Sequence, residues 1–165
     1  MFNCHGRLGA GLALFAGVTI THVFAASAHD VLIVAHRGAS FDAPENTLAA
    51  TRLAWEQGAD VVEIDVHLTR DGQIVVAHDE TTKRTAGHDA AIVEQTMAGL
   101  RQLDAGKWKG PQFAGETFSV LDEHIALTPA GKRLFVEIKV GPEIVPELVR
   151  CFERTGASED EITII

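Results

Sequence analysis

Cysteine is nearly absent: Cys4 and Cys151 are its only two occurrences. That excludes a disulfide framework and a zinc site of the usual cysteine spacing. Basic charge is also scarce, with 14 Lys and Arg against 23 Asp and Glu and a net charge of −9. An acidic surface of this kind repels a polyphosphate backbone, which excludes nucleic acid as the partner. An anionic substrate would have to be drawn in by local groups rather than by the overall field. No apolar run reaches the ~20 residues of a spanning helix; the longest, over residues 8–24, is shorter and is weakened by Gly9, Gly11 and Gly17. Internal repeats and low-complexity tracts are missing too. What is present in quantity is apolar residues, at 46%, sufficient in kind for a packed core.

The apolar run follows Arg7 and precedes Ala26-Ser27-Ala28, a small-x-small sequence. Residues 1–28 therefore read as a secretory signal peptide, with His29-Asp30 opening the mature chain. Cys4 lies before the run, so there is no lipoprotein-like cysteine after it. The expected destination is the periplasm or the exterior, with no stable membrane anchor once the peptide is removed. Cleavage removes one base and no acid, so the mature chain is more acidic by one charge.

Residues 31–35 form a continuous apolar run, the pattern of a strand buried on both faces of a parallel sheet. A turn with Gly38, Ser40, Asp42 and Pro44 follows. Asn46 or Thr47 can cap a helix that runs to about Gln57, with Gly58 as its stop. A second strand spans 60–66, a turn 69–72, and an extension strand 74–77. Residues 79–119 are polar and read as an insertion, with a short helix over 93–103. A helix over 120–127, a strand over 133–140, a helix over 142–155 stopped by Gly156, and a strand from 161 complete the series. Alternation of this kind predicts a parallel sheet with right-handed crossovers.

Side chains on a strand alternate faces, so Glu63 and Asp65 share one face of their strand, and Glu137 and Lys139 share one face of theirs. His36-Arg37 ends the first strand and His78 the extension, both after Val-Ala. All of these groups fall at the carboxyl ends of strands, where parallel α/β folds place their sites. Two acids on an apolar strand are costly to bury without a cation. Glu63, Asp65 and Glu137 are hard oxygen donors that suit Ca²⁺ or Mg²⁺. Arg37 could grip a phosphate by its planar fork and Lys139 by its point charge. His36 and His78 could act as general acid and base.

Each part also has a plain structural reading. A histidine at a strand end is commonly a hydrogen-bonded support, a Glu-x-Asp pair commonly faces solvent, and Glu137 with Lys139 also reads as a neutral ion pair. His29, His67, His88 and His124 are read as structural, and Cys151, Trp55 and Trp108 as packing residues.

His36-Arg37-Gly38, Pro44-Glu45-Asn46-Thr47, Glu63-Ile64-Asp65-Val66, Thr69-x-Asp71, His78-Asp79 and Glu137-Ile138-Lys139, in this order and at this spacing, resemble the glycerophosphodiester phosphodiesterase family. The resemblance implies a TIM-type (β/α)8 barrel with a small insertion after the second strand, matching residues 79–119. It implies hydrolysis of glycerophosphodiesters, small molecules such as glycerophosphocholine, to glycerol 3-phosphate and an alcohol. On that pattern His36 and His78 are the catalytic pair. Glu63, Asp65 and Glu137 hold a divalent metal ion, and Arg37 and Lys139 contact the phosphate. Glu45 contributes, while Asn46 and Thr47 support the first loop. Where the family often has Pro-Thr-Leu, this chain has Phe118-Ser119-Val120-Leu121, a departure expected to affect packing only.

A barrel needs eight strands and usually ~250 residues, whereas about four β/α units are counted here. Residues 29–165 are thus expected to be the amino-terminal half of the barrel domain, truncated within a strand. Two other readings share these residues. One is a phospholipase-type relative acting on intact or lyso-lipids. The other is a non-catalytic half-barrel module that pairs with itself or a partner.

Overall fold

The computed structural model describes residues 31–165; the expected signal peptide lies outside them. Four parallel strands stand side by side in chain order: β1 (Val34–His36), β2 (Val61–Leu68), β4 (Arg133–Ile138) and β5 (Ile162–Ile164). The short β3 (Ile74–Val76) runs antiparallel against the carboxyl end of β2. Its turn is closed locally: Thr69 Oγ1 donates to Asp71 Oδ1 at 2.7 Å and accepts from the Gln73 N–H at 2.9 Å. Helix α1 (Leu48–Glu56) joins β1 to β2, α4 (Leu121–Leu127) precedes β4, and α5 (Val145–Thr155) joins β4 to β5. This is the βα alternation of half a TIM-type barrel.

The strand period of two divides the sheet into two unlike faces. Val62, Ile64 and Val66 of β2 and Leu134 and Val136 of β4 pack with Ala54, Leu121, Ile144, Leu148 and Cys151 in the main core under the helices. The alternate positions of β2 and β4 carry Glu63, Asp65, His67 and Glu137 on the other face. The apolar face anchors the strands and thereby fixes the polar one.

Residues 79–119 form a small second core around Val75, Ala77, Ile92, Met97, Leu100, Ala105 and Phe118. The helix expected over 93–103 is broken. A 3₁₀ turn at Ile92–Glu94 is followed by extended Gln95, and only then by α3 (Met97–Leu100). The Gln95 carbonyl accepts from the Arg70 N–H at 2.9 Å, which draws it out of helical geometry. Thr96 then restarts the helix as its cap, accepting from the Gly99 N–H. The insertion also carries a one-turn helix, α2 (Lys83–Ala86).

The first strand differs from expectation as well. Residues 31–33 precede β1 rather than belonging to it, and Val31 and Ile33 are 76% and 62% exposed. Among the described residues no strand pairs with the outer side of β1, so its apolar residues lack the cover of an interior strand.

The departure at 118–121 reaches beyond packing. Val120 stands at the N-cap of α4 without an oxygen to accept, so only the Glu123 carboxylate, taking the Val120 N–H at 3.0 Å, caps this end. Ser119 is buried and shares a 2.7 Å hydrogen bond with His124 Nε2, while His124 Nδ1 lies 2.9 Å from the Thr51 hydroxyl. The ring thus ties α4 to α1 from a fully buried position. Burial, with the nearby Arg52 charge adding, lowers its pKa from 6.5 to about 3.

The folded state therefore refuses a proton that the unfolded chain accepts below about pH 6.5. The His124 contribution is complete above that pH. It fades toward pH 3 at roughly 1.4 kcal/mol per pH unit. Urea unfolding across this range should show the slope in the parent and a shallower one in His124→Asn; equal slopes would remove His124 as the cause.

Candidate active site

The carboxyl end of β1 delivers His36 and Arg37 beside β2. In register, His36 faces Glu63 across β1–β2, and Asp65 faces Glu137 across β2–β4. His36 is largely exposed, with Nε2 3.9 Å from Glu63 Oε2. Arg37 has φ +58°, a left-handed conformation rare outside glycine. That turn aims its backbone N–H at Glu63 Oε2 (2.8 Å) and its guanidinium at Glu45 Oε1 (2.9 Å) and Asp65 Oδ2 (3.4 Å). Asn46 is also left-handed, at φ +59°, and clasps Asp65. Its amide donates to Asp65 Oδ2 at 2.8 Å, and its carbonyl accepts the Asp65 N–H at 3.1 Å. Thr47 caps α1 next to it, accepting the Ala50 N–H at 3.2 Å. Two left-handed residues in one loop store strain, and the hydrogen bonds to Glu63 and Asp65 hold it in place.

Glu63, Asp65 and Glu137 each offer one oxygen within 4.8 Å of the others. Glu63 and Asp65 are buried; Glu63 Oε1 makes no hydrogen bond, and Asp65 Oδ1 has only the Lys139 ammonium beside it. Lys139 Nζ lies 3.0 Å from Asp65 Oδ1 and is hydrogen-bonded to Glu137 Oε1, so that with Arg37 two positive charges meet three carboxylates. Burial by itself would lower the Lys139 pKa, but its bonds to Glu137 and Asp65 hold it above the ordinary value. Glu63 moves the other way for a carboxylate. Burial, with the charges of Asp65 and Glu137 adding, raises its pKa despite the Arg37 N–H. An orphaned buried oxygen on Glu63, converging carboxylates and a deficit of positive charge fit a hard divalent cation. The triad can hold a metal ion.

His78 follows β3. The Ala77 N–H donates to the Asp65 carbonyl (2.9 Å), which fixes the start of this segment. His78 Nδ1 is 2.7 Å from Asp79 Oδ1. A carboxylate only accepts, so Nδ1 carries the proton and the neutral ring keeps its lone pair on Nε2. His67, Asp79, Glu80, Thr81 and Lys139 line with His78 an open cleft of about 510 Å³. His67, assigned above to structure alone, lies at this cleft, and its Nε2 is 3.1 Å from the His78 carbonyl. The 63/65/67 alternation was the signal that puts it there.

Arg84 and Trp108 were not singled out for the site. Arg84 bridges Glu45 and Asp79 through four hydrogen bonds of 2.7–3.0 Å. Trp108 is 42% exposed rather than packed, with Arg84 and Lys109 at 5.9 and 5.8 Å from its ring centre.

The profile of the glycerophosphoryl diester phosphodiesterase family matches residues 36–155. A glycerophosphodiester phosphodiesterase of Caldanaerobacter subterraneus is 44% identical over 135 residues, 78% of this chain and 55% of the relative. Among solved structures, a phosphodiesterase of Oleispira antarctica in complex with the product sn-glycerol-3-phosphate superposes with a TM-score of 0.76 at 38% identity. It covers 81% of this chain and 56% of that one. A glycerophosphodiester phosphodiesterase of Agrobacterium tumefaciens gives 0.74 at 32%, covering 82% and 58%. The half-barrel thus has its counterparts among phosphoric diester hydrolases. This chain belongs to the glycerophosphoryl diester phosphodiesterase family. It spans about half the length of the relatives it matches.

Proposed function

We propose that the protein carrying this chain hydrolyses glycerophosphodiesters to glycerol 3-phosphate and an alcohol. The observation that carries this reading is one edge of one sheet. Three carboxylates there converge within 4.8 Å, with Arg37 and Lys139 against them. Glu63, Asp65 and Glu137 would hold Ca²⁺ or Mg²⁺, which when bound would polarise a phosphoryl oxygen. Arg37 binds the phosphate by its fork and Lys139 as a point charge. His78, protonated on Nδ1 by its bond to Asp79, uses Nε2 to take a proton from the water whose oxygen attacks phosphorus as the bond to the alcohol oxygen breaks. His36, exposed at the carboxyl end of β1 beside Glu63, returns a proton to the oxygen of the leaving alcohol. Glu45 and Asn46 hold Arg37 and Asp65 in place.

The remaining barrel strands, in a longer protein, would contact the glycerol and head-group moieties. The 165-residue chain alone is then expected to be weakly active. Export rests on residues 1–28 and is part of the same proposal: the enzyme would act in the periplasm or outside the cell, on a small substrate.

The test is release of sn-glycerol 3-phosphate from glycerophosphocholine with Mg²⁺ or Ca²⁺ and after excess chelator. Release that disappears on chelation is expected. Chelator-insensitive release would overturn the metal assignment. Turnover of lysophospholipid micelles without turnover of glycerophosphocholine would favour the phospholipase reading instead.

A further inference from the structure

Residues 79–119 are attached to the first loop at two points. Lys109 Nζ donates to the Ser40 carbonyl at 2.7 Å. The larger attachment is Arg84 of α2. Its Nη1 donates to Glu45 Oε2 (2.8 Å), its Nε to Asp79 Oδ2 (2.7 Å), and its Nη2 to both Glu45 Oε1 (2.7 Å) and Asp79 Oδ1 (3.0 Å). The two oxygens that share Nη2 are the ones that meet the reaction groups. Glu45 Oε1 also accepts from Arg37 Nη1, and Asp79 Oδ1 also accepts from His78 Nδ1. An unbroken series of charge-assisted bonds therefore runs Arg37–Glu45–Arg84–Asp79–His78. One end is a phosphate-binding group and the other an acid–base group.

We propose that Arg84 is a positioning residue: the insertion supplies the fork that locks Glu45 and Asp79 together, and through them sets the Arg37 guanidinium and the His78 tautomer. The proposal rests on the phosphodiesterase reading for what the two ends do, but the tautomer itself does not depend on that reading. Three features support it. A planar guanidinium meets each of the two carboxylates with a rigid pair of coplanar donors, whereas an ammonium such as Lys139 can touch two carboxylates but cannot fix either by a fork. Arg84 also lies over the Trp108 ring, which limits its rotation. Asp79, bound chiefly by Arg84, is held as an anion with its pKa lowered to about 2, so it remains an acceptor for His78 at any working pH. Arg84 is itself partly exposed, and ion pairs at such sites contribute little to folding. Its effect should therefore appear in orientation more than in stability.

The test compares the 165-residue parent with Arg84→Gln and Arg84→Lys. The ¹⁵N shifts of the His78 ring are read at a pH where it is neutral, with circular dichroism as the check on folding. The parent ring should be protonated on Nδ1. Both variants should move it toward the Nε2–H form, Gln further than Lys. In the active enzyme both should lose rate on the order of 10–100-fold, as when partners orienting a functional histidine are removed.

An Nε2–H ring in the parent would overturn the proposal, as would an unchanged ring in folded Arg84→Gln. If Arg84→Gln does not fold, Arg84→Lys decides: a parent-like tautomer and rate there would show that charge suffices and the fork does not matter. A tautomer switch, with no hydrolysis of glycerophosphodiesters by the longer protein that carries this chain, would keep Arg84 as a positioning residue and sink the proposed function alone.

Discussion

Gly38→Ala is expected to destabilise the chain by about 3–5 kcal/mol, whereas Gly72→Ala, at nearly the same φ, should lose only about 1–2 kcal/mol. Gly38 has φ +76° and Gly72 φ +75°, so the left-handed penalty of a Cβ is common to both. The surroundings differ. A Cβ on Gly72 meets nothing within 4 Å, while one on Gly38 would stand 2.7 Å from the Ala50 carbonyl carbon and 2.8 Å from its Cβ. Ala50 cannot withdraw easily. Its carbonyl accepts the Ala39 N–H, and its own N–H is bound by the Thr47 cap. Relief would push α1 away from the loop that carries Arg37 and Asn46, so the site should loosen along with the fold. Urea unfolding of the two variants checks this, and equal losses would show that the contact with α1 is unimportant. Against the 5–15 kcal/mol of an ordinary domain, the expected difference is large.

His78→Ala is expected to lower the hydrolysis rate on the order of 10²–10⁴-fold, the range for a positioned acid or base. Stability should change little. The ring is part-exposed, and the Asp79 carboxylate it leaves behind keeps its bonds to Arg84. The backbone carbonyl that meets His67 is retained in the variant. Kinetics and melting measured on the same preparation separate the two effects. A rate within a few-fold of the parent would remove His78 from the chemistry, and a collapse in melting temperature would make it a structural residue after all.

The parts of the site that lie on strands could be read directly from the sequence. Alternation put Glu63 with Asp65, and the βα order put His36, Glu137 and Lys139 at the same edge, because the strand period leaves little freedom. Contacts made by loops were not legible. Arg84 meets Glu45 across 39 positions, through an insertion whose path no periodicity records. Gln95 leaves the helix expected over 93–103 for a hydrogen bond with Arg70, a tertiary contact that overrides local propensity. Trp108 looked like core by residue type, yet its ring lies near two cations at the surface. The residue pattern at 118–121 gave no sign that Ser119 would close a buried bond with His124, because the partner lies on the following helix.

The most direct test of the proposed metal centre is calorimetric titration of Mg²⁺ and of Ca²⁺ into the folded chain, beside Glu63→Gln. The account predicts one ion per parent chain. At a hundredfold excess over Kd, binding should raise stability by about 2.7 kcal/mol. Both effects should be lost or strongly weakened in the variant, which replaces a buried carboxylate with an amide. A folded parent that binds neither ion, or a variant that binds as well as the parent, would contradict it.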